Sequence, residues 1–235
     1  VFLGGQFKDD GIQFRWILPT SHYVELGGEW LRGDAFPAAG AAKHGSGTWT
    51  LFAETGGDFN LSNSWKIDLG YIHAIAEERP VNPEDESSSL FSGDSDLYNF
   101  SFVWKWAPHG NPVRTNFKLQ GEYFYREEDG LLDLASYTGD QSGWYLQGNW
   151  QFRPQWQVGY RYERVDADNT VDPELAETFL ADDGASSRDS LLLVWANSEF
   201  SRFKLQYTTQ SGLQNDNRWV LQYIHSLGAH GAHQF

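Results

Sequence analysis

The chain has 235 residues and contains neither cysteine nor methionine. Without cysteine there is no disulfide scaffold, no thiolate zinc site and no cysteine nucleophile. Without methionine there is no initiator residue, and the opening stretch VFLGGQF has neither a basic n-region nor an apolar h-region. A processed or partial chain is the expectation. Long apolar runs are also missing. The longest, Leu191 to Ala196, is a fraction of the roughly 18–20 residues of a membrane helix, which excludes a helical membrane protein. Positive charge is scarce: 17 Lys and Arg stand against 32 Asp and Glu, a net charge of -15. That balance argues against nucleic acid, whose phosphates need a basic surface.

Aromatic residues, by contrast, are abundant, at 16% with eleven Trp. The mean hydropathy is nevertheless negative. Both facts hold together only if apolar residues are thinly interleaved with polar ones, and the sequence shows this as alternation with period two, the signature of half-buried strands. Strands are predicted at about Gly11–Leu18, Tyr23–Arg32, Thr48–Phe59, Trp65–Ala76, Leu97–Trp106, Arg114–Arg126, Gly143–Phe152, Trp156–Val165, Ser190–Ala196, Arg202–Gln210 and Arg218–Leu227. No segment carries a helical period.

The predicted connections alternate in length. PTS, NLSNS, PHGNP, RPQ and NSEFS are short and rich in turn residues. Between them lie Gly33–Gly47, Glu77–Asp96, Glu127–Ser142, Asp166–Asp189 and the shorter SGLQNDN. Tight turns at one end and long loops at the other describe a membrane β-barrel. The stretch Val1–Lys8 serves as a first ascending strand, which gives an even twelve. The aromatics fit this arrangement. Trp16, Trp65, Trp104, Trp106, Trp150, Phe152, Trp156, Trp195 and Phe203 fall beside short turns, and Trp30, Trp49, Trp144 and Trp219 beside long loops, as two interfacial girdles would.

The chain closes on RWVLQYIHSLGAHGAHQF, an alternating strand ending in Phe235. A terminal aromatic on a barrel strand is the usual assembly signal read by the outer-membrane insertion machinery. GDSDLYNFSFVWKWAPHGNP, NFKLQGEYFYREEDG, GDQSGWYLQGNWQFRPQWQVGYRYERVDADN, SEFSRFKLQY and the terminal stretch also resemble a proteobacterial outer-membrane family labelled zinc-regulated TonB-dependent receptor, itself similar to phosphate-selective porins. The resemblance covers most of the chain from about Leu3 onward. It implies an outer-membrane barrel whose family members carry additional N-terminal sequence.

Positions out of phase with the apolar face should point into a lumen. On the early strands these include Arg15, Glu25, Glu29, Glu54, Asp58, Lys66 and Asp68. Later strands contribute Lys105, Lys118, Glu122, Arg126, Arg153, Arg161, Glu163, Arg202, Lys204 and Arg218, with glutamines such as Gln120, Gln147 and Gln206 between them. Ten of these charged positions are basic and seven acidic, so the acidic excess of the chain should fall mainly in loops such as EERPVNPEDE; within the set the early strands are acid-rich and the later ones base-rich. Two arrangements are open for the lumen charges: opposed walls that set a transverse field across a water-filled pore, or ion pairs that fill a narrow barrel.

Other chemistry is sparse. His230 and His233, with His225 nearby, offer imidazoles suited to zinc or copper, but residues three apart on an extended segment point to different sides. Calcium is the candidate ion for the acidic loops, although DADNTVD lacks the glycine and terminal Glu of an EF-hand. No resident cofactor is expected. His225 and Ser226 are adjacent and so face opposite ways on a strand, and no G-x-S-x-G occurs, so no enzyme is expected. The sequence reading is therefore an all-β transmembrane antiparallel β-barrel of about twelve strands, one domain over residues 1–235, with short periplasmic turns and long extracellular loops. It would lie in the bacterial outer membrane against lipid and lipopolysaccharide, and act as a porin-like channel for small polar or charged solutes. The alternative is a non-conducting barrel with a structural or surface-interaction role.

Overall fold

The computed structural model describes residues 7–39, 47–82, 88–171, 184–198, 200–213 and 215–226. Among them are eleven strands: β1 Gly11–Ile17, β2 Tyr23–Leu31, β3 Thr48–Asn60, β4 Asn63–Pro80, β5 Leu90–Trp106, β6 Asn116–Leu132, β7 Ala135–Arg153, β8 Trp156–Val171, β9 Gly184–Ser198, β10 Ser201–Ser211 and β11 Asp216–His225. They form one sheet in sequential order, each strand antiparallel to the next. A meander of this kind needs only local hairpins, which is why a period-two sequence with frequent turn residues folds this way. β1 and β11 are the edges of the sheet and share no ladder among the described residues, so the sheet is not closed.

The two faces invert the usual distribution. One exposes large apolar side chains, among them Trp30 at 66%, Trp219 at 67% and Leu221 at 73%. The other buries Glu25, Thr48, Thr50, Ser95, Arg126 and Glu128. Contacts on this second face skip strands: Arg79 of β4 meets Glu128 of β6 at 2.8 Å, and Phe91 of β5 meets Tyr137 of β7 at 5.6 Å between ring centroids. Next-but-one strands of a flat sheet lie about 9–10 Å apart, so the sheet curls towards its polar face. That face is inward and the apolar face outward.

Aromatic rows run along both margins of the outward face. Near the short turns, Trp156, Trp195, Phe203 and Tyr223 follow one another across β8 to β11, with centroids 4.7–6.2 Å apart. At the other end Trp49, Tyr71, Tyr98 and Tyr125 form a similar row across β3 to β6, at 5.0–6.2 Å.

Several strands are longer than the sequence suggests and run into three of the expected loops. β4 runs on to Pro80 and β5 starts at Leu90, inside the expected Glu77–Asp96 loop. β6 and β7 continue to a turn of two residues, Asp133 and Leu134, in place of the Glu127–Ser142 loop. β8 and β9 extend into the Asp166–Asp189 stretch. The connection between β5 and β6 spans residues 107–115, so the strict short-and-long alternation does not hold. Charged residues on the outward side of these extensions read as loop in the sequence, but the inward side supplies a small apolar cluster of Ala76, Phe91, Leu132 and Val171 that fastens the ladder. Beside it Gly93 faces Gly130, and a Cβ at Gly93 would stand 2.2 Å from the Asp129 carbonyl oxygen, so these strands approach closely because neither residue has a side chain.

The expected first strand, Val1–Lys8, falls partly outside the described residues. Phe7 and Lys8 are described and belong to no strand. The Asp9 carboxylate accepts the Gly33 N–H at 2.7 Å and the Asp10 carbonyl accepts the Arg32 N–H at 2.9 Å. Held there, the chain turns inward, and Phe7 borders a cavity shared with Glu29, Thr50 and Phe124.

Candidate functional site: the inward polar face

Charged residues of the inward face fall into three groups. On the early strands they are paired. Arg15 and Glu25 form an ion pair, and the Tyr23 hydroxyl donates to Glu25 at 2.7 Å. The Lys66 ammonium bridges Glu54 at 2.8 Å and Asp68 at 3.0 Å, and Asp68 also accepts the Ser101 hydroxyl at 2.8 Å. Glu29 accepts from Gln13 and Thr50 at 2.6 and 2.9 Å, and Glu122 accepts the Asn99 amide at 3.2 Å. The acid-rich wall is thus tied up in local hydrogen bonds and ion pairs, apart from Asp58, which is exposed beside the register shift at the end of β3.

The second group is buried at the end of the long connections, and most of it lay in segments expected to be loops. Arg79 and Glu128, both about 5% exposed, form an ion pair, and the Ser95 hydroxyl donates to Glu128 at 3.0 Å. The segment after β2 enters this space: Pro37 and Ala38 are fully buried, and the Pro37 carbonyl accepts from Arg79 at 2.6 Å. Phe36 lies between two guanidinium groups, those of Arg79 and Arg126, each 4.9 Å from its ring. Arg126 donates to Gln141, while its Nε and Nη1 have no hydrogen-bond partner among the described residues. Two arginines therefore share one carboxylate, and the Phe36 ring offers the remaining charge a partial partner through its π face.

On the later strands the basic residues are largely unpaired. Lys105 and Lys118 stand opposite each other across the β5–β6 ladder. They, Arg202, Lys204 and Arg218 have no ion-pair partner among the described residues. Arg153 is exposed beside the 154–155 turn, next to a register shift. Arg161 is the exception in this group. It pairs with Glu163, stacks 3.8 Å above the Tyr145 ring and donates to Gln147 at 3.4 Å.

Arg188 joins this region although its position fell within an expected loop. It bonds Gln210 at 2.7 and 3.2 Å and reaches Glu163 at 3.3 Å. The available signal was parity: continuing the alternation of β9 from Leu192 back through Ser190 puts Arg188 on the inward face. The same parity, carried along β4 to Arg79 and along β6 from Arg126 to Glu128, needed only a longer strand, interrupted in β4 by a register shift between Ala76 and Arg79.

Among the described residues no group of three or more His, Cys, Asp or Glu is placed to hold a metal. His230, His233 and Phe235 lie outside the described residues, as do the acidic residues 84–86 and the whole of the 172–183 connection. His225 ends β11 on the outward face, stacked with Tyr223.

No family model matches the chain. Along its whole length the chain is similar to an uncharacterized protein of Aquifex aeolicus (strain VF5), at 26% identity over 258 residues of alignment. It spans 53%, about half, of that relative's length.

Proposed function

We propose that this chain forms the wall of a bacterial outer-membrane β-barrel through which small polar or charged solutes pass passively. The observation that carries the reading is the inversion of the sheet: an apolar outward face bounded by aromatic rows, and an inward face on whose later strands Lys105, Lys118, Arg202, Lys204 and Arg218 have no ion-pair partner among the described residues. Hydrocarbon suits the first face and an aqueous path the second. In lipid an open sheet edge leaves each backbone group unsatisfied, so β1 and β11 must be covered. They run in the same direction, since ten antiparallel steps separate them. All-antiparallel closure therefore takes an odd number of further strands between them. The resemblance to an outer-membrane family supports the same reading.

A second reading is a non-conducting barrel with a structural or surface-interaction role. It is favoured by the 36–38 segment, which occupies the inward space between β4 and β6. Planar-bilayer recording of the purified, folded protein separates the two. Discrete conductance steps are expected; a folded protein that inserts without conducting would support the second reading instead.

A further inference from the structure

The later half of the inward face contains a cavity of about 270 Å³ between β7 and β11. Four charged residues line it: Arg161, Glu163, Arg188 and Arg218. Two of the three guanidinium groups are committed, because Arg161 and Arg188 grip Glu163 from either side. Arg218, opposite Thr208 on the neighbouring strand, has no partner among the described residues. The cavity thus offers one free planar fork in a positive field. That matches a single carboxylate, which a guanidinium binds through two parallel hydrogen bonds, better than a dianion that asks for several free cations.

The rest of the lining is neutral and polar. Ser190 and Thr208 hydroxyls lie 3.2 Å apart and Gln206 donates to Thr208 at 3.0 Å, which leaves the Gln206 carbonyl oxygen and the Asn149 amide facing the cavity without partners among the described residues. Gly159 keeps the floor open, since a Cβ there would stand 2.5 Å from the Asn149 side-chain oxygen. Donors and acceptors of this kind suit hydroxyl groups. A space of about 270 Å³ open to the inward side admits a small polyhydroxylated acid.

We infer that this cavity is a binding site for small hydroxylated monocarboxylates of the sugar-acid type, with Arg218 holding the carboxylate and Asn149 and Gln206 the hydroxyls. The inference deepens the solute-passage reading and rests on it; calorimetry reads the site and bilayer recording reads the passage, so each fails separately. The test is isothermal titration of the protein, folded in detergent micelles, with gluconate, sorbitol and inorganic phosphate. Gluconate should bind more tightly than either of the others. Arg218→Gln should weaken gluconate binding about tenfold, the worth of one charge-assisted hydrogen-bonded contact. Arg218→Lys should restore part of the loss, because the charge returns without the fork. Gln206→Leu should weaken gluconate but not a simple carboxylate such as acetate, and Arg164→Gln, on the outward face, should change nothing. The site is overturned if gluconate gives no heat, if phosphate binds as tightly, or if Arg218→Gln leaves gluconate binding unchanged.

Discussion

Lys105 and Lys118 face each other directly across the β5–β6 ladder on the inward side, with no carboxylate in ion-pair reach of either among the described residues. Two like charges in register cost stability unless water solvates both. Their persistence fits an inward face that is wet at this level. Fixed charges on a confined aqueous path act at short range, whereas carboxylates outside it are screened within about 8–10 Å at physiological salt. A mild anion preference is therefore expected despite the net charge of -15. Neutralising Lys105, Lys118 and Lys204 together to Gln should reduce it, and neutralising the outward Asp94 and Asp129 should hardly change it. Reversal potentials across a salt gradient check this; cation selectivity that ignores the lysine variant would contradict it.

The assignment of faces predicts an asymmetry between neighbouring residues. Leu119, Leu146 and Leu205 lie outward, and Gln120, Gln147 and Gln206 inward. Lysine at a leucine position near mid-membrane should cost about 2–4 kcal/mol of folding into lipid, and lysine at a glutamine position little. Urea titrations followed by tryptophan emission would show the difference. Equal costs in the two sets would rule out the barrel in lipid.

Asp96, Glu127, Asp140 and Asp168 form an outward row, each directly opposite the next across three successive ladders. Hydroxyl groups relieve part of the repulsion: Tyr71 donates to Asp96 at 2.5 Å and Tyr125 to Asp140 at 2.8 Å. Glu127→Gln removes one charge from the middle of the row. It should stabilise the fold by about 0.2–1 kcal/mol, with a gain that shrinks at high salt. A lower urea midpoint for this variant would mean that the row is held by attraction to something else.

Removing Arg79 alone leaves Glu128 buried beside only Arg126, and removing Glu128 alone leaves two buried guanidinium groups uncompensated. Each single change should cost about 3–5 kcal/mol. Arg79→Met combined with Glu128→Leu should cost less than the sum of the two single changes but not return to the starting stability, because Arg126 stays buried without the carboxylate it shared. A double-mutant cycle in urea gives the coupling; additive losses would show that the two side chains act independently.

At the β6–β7 turn the Ser89 hydroxyl and the Leu90 N–H donate to the Asp133 carboxylate and hold it below its usual range. A carboxylate depressed in the folded state contributes stability above its unfolded value, about 3.9, and loses that contribution as pH falls through the folded value. Between pH 5 and 2 the urea midpoint of the natural chain should therefore fall further than that of Asp133→Asn. Parallel curves would show that the turn carboxylate plays no part in acid unfolding.

What the sequence determined by itself is the face each strand residue takes. Successive side chains on a strand point to opposite sides whatever their neighbours do, so period two in Trp219, Leu221 and Tyr223 was enough to separate outward from inward positions. Strand length was not legible in this way. Beyond the aromatic rows the outward side turns polar, and only cross-strand partners such as Gly93 with Gly130, or Phe91 with Leu132, decide that the ladder continues. The gathering of Arg161, Glu163, Arg188 and Arg218 from β8, β9 and β11 was likewise hidden. Their distances depend on the registers of three successive ladders added together, and a register is set by pairing between strands. The burial of Phe36 between Arg79 and Arg126 belongs to the same class, since nothing local to that segment records which distant charges it will meet once the sheet curls.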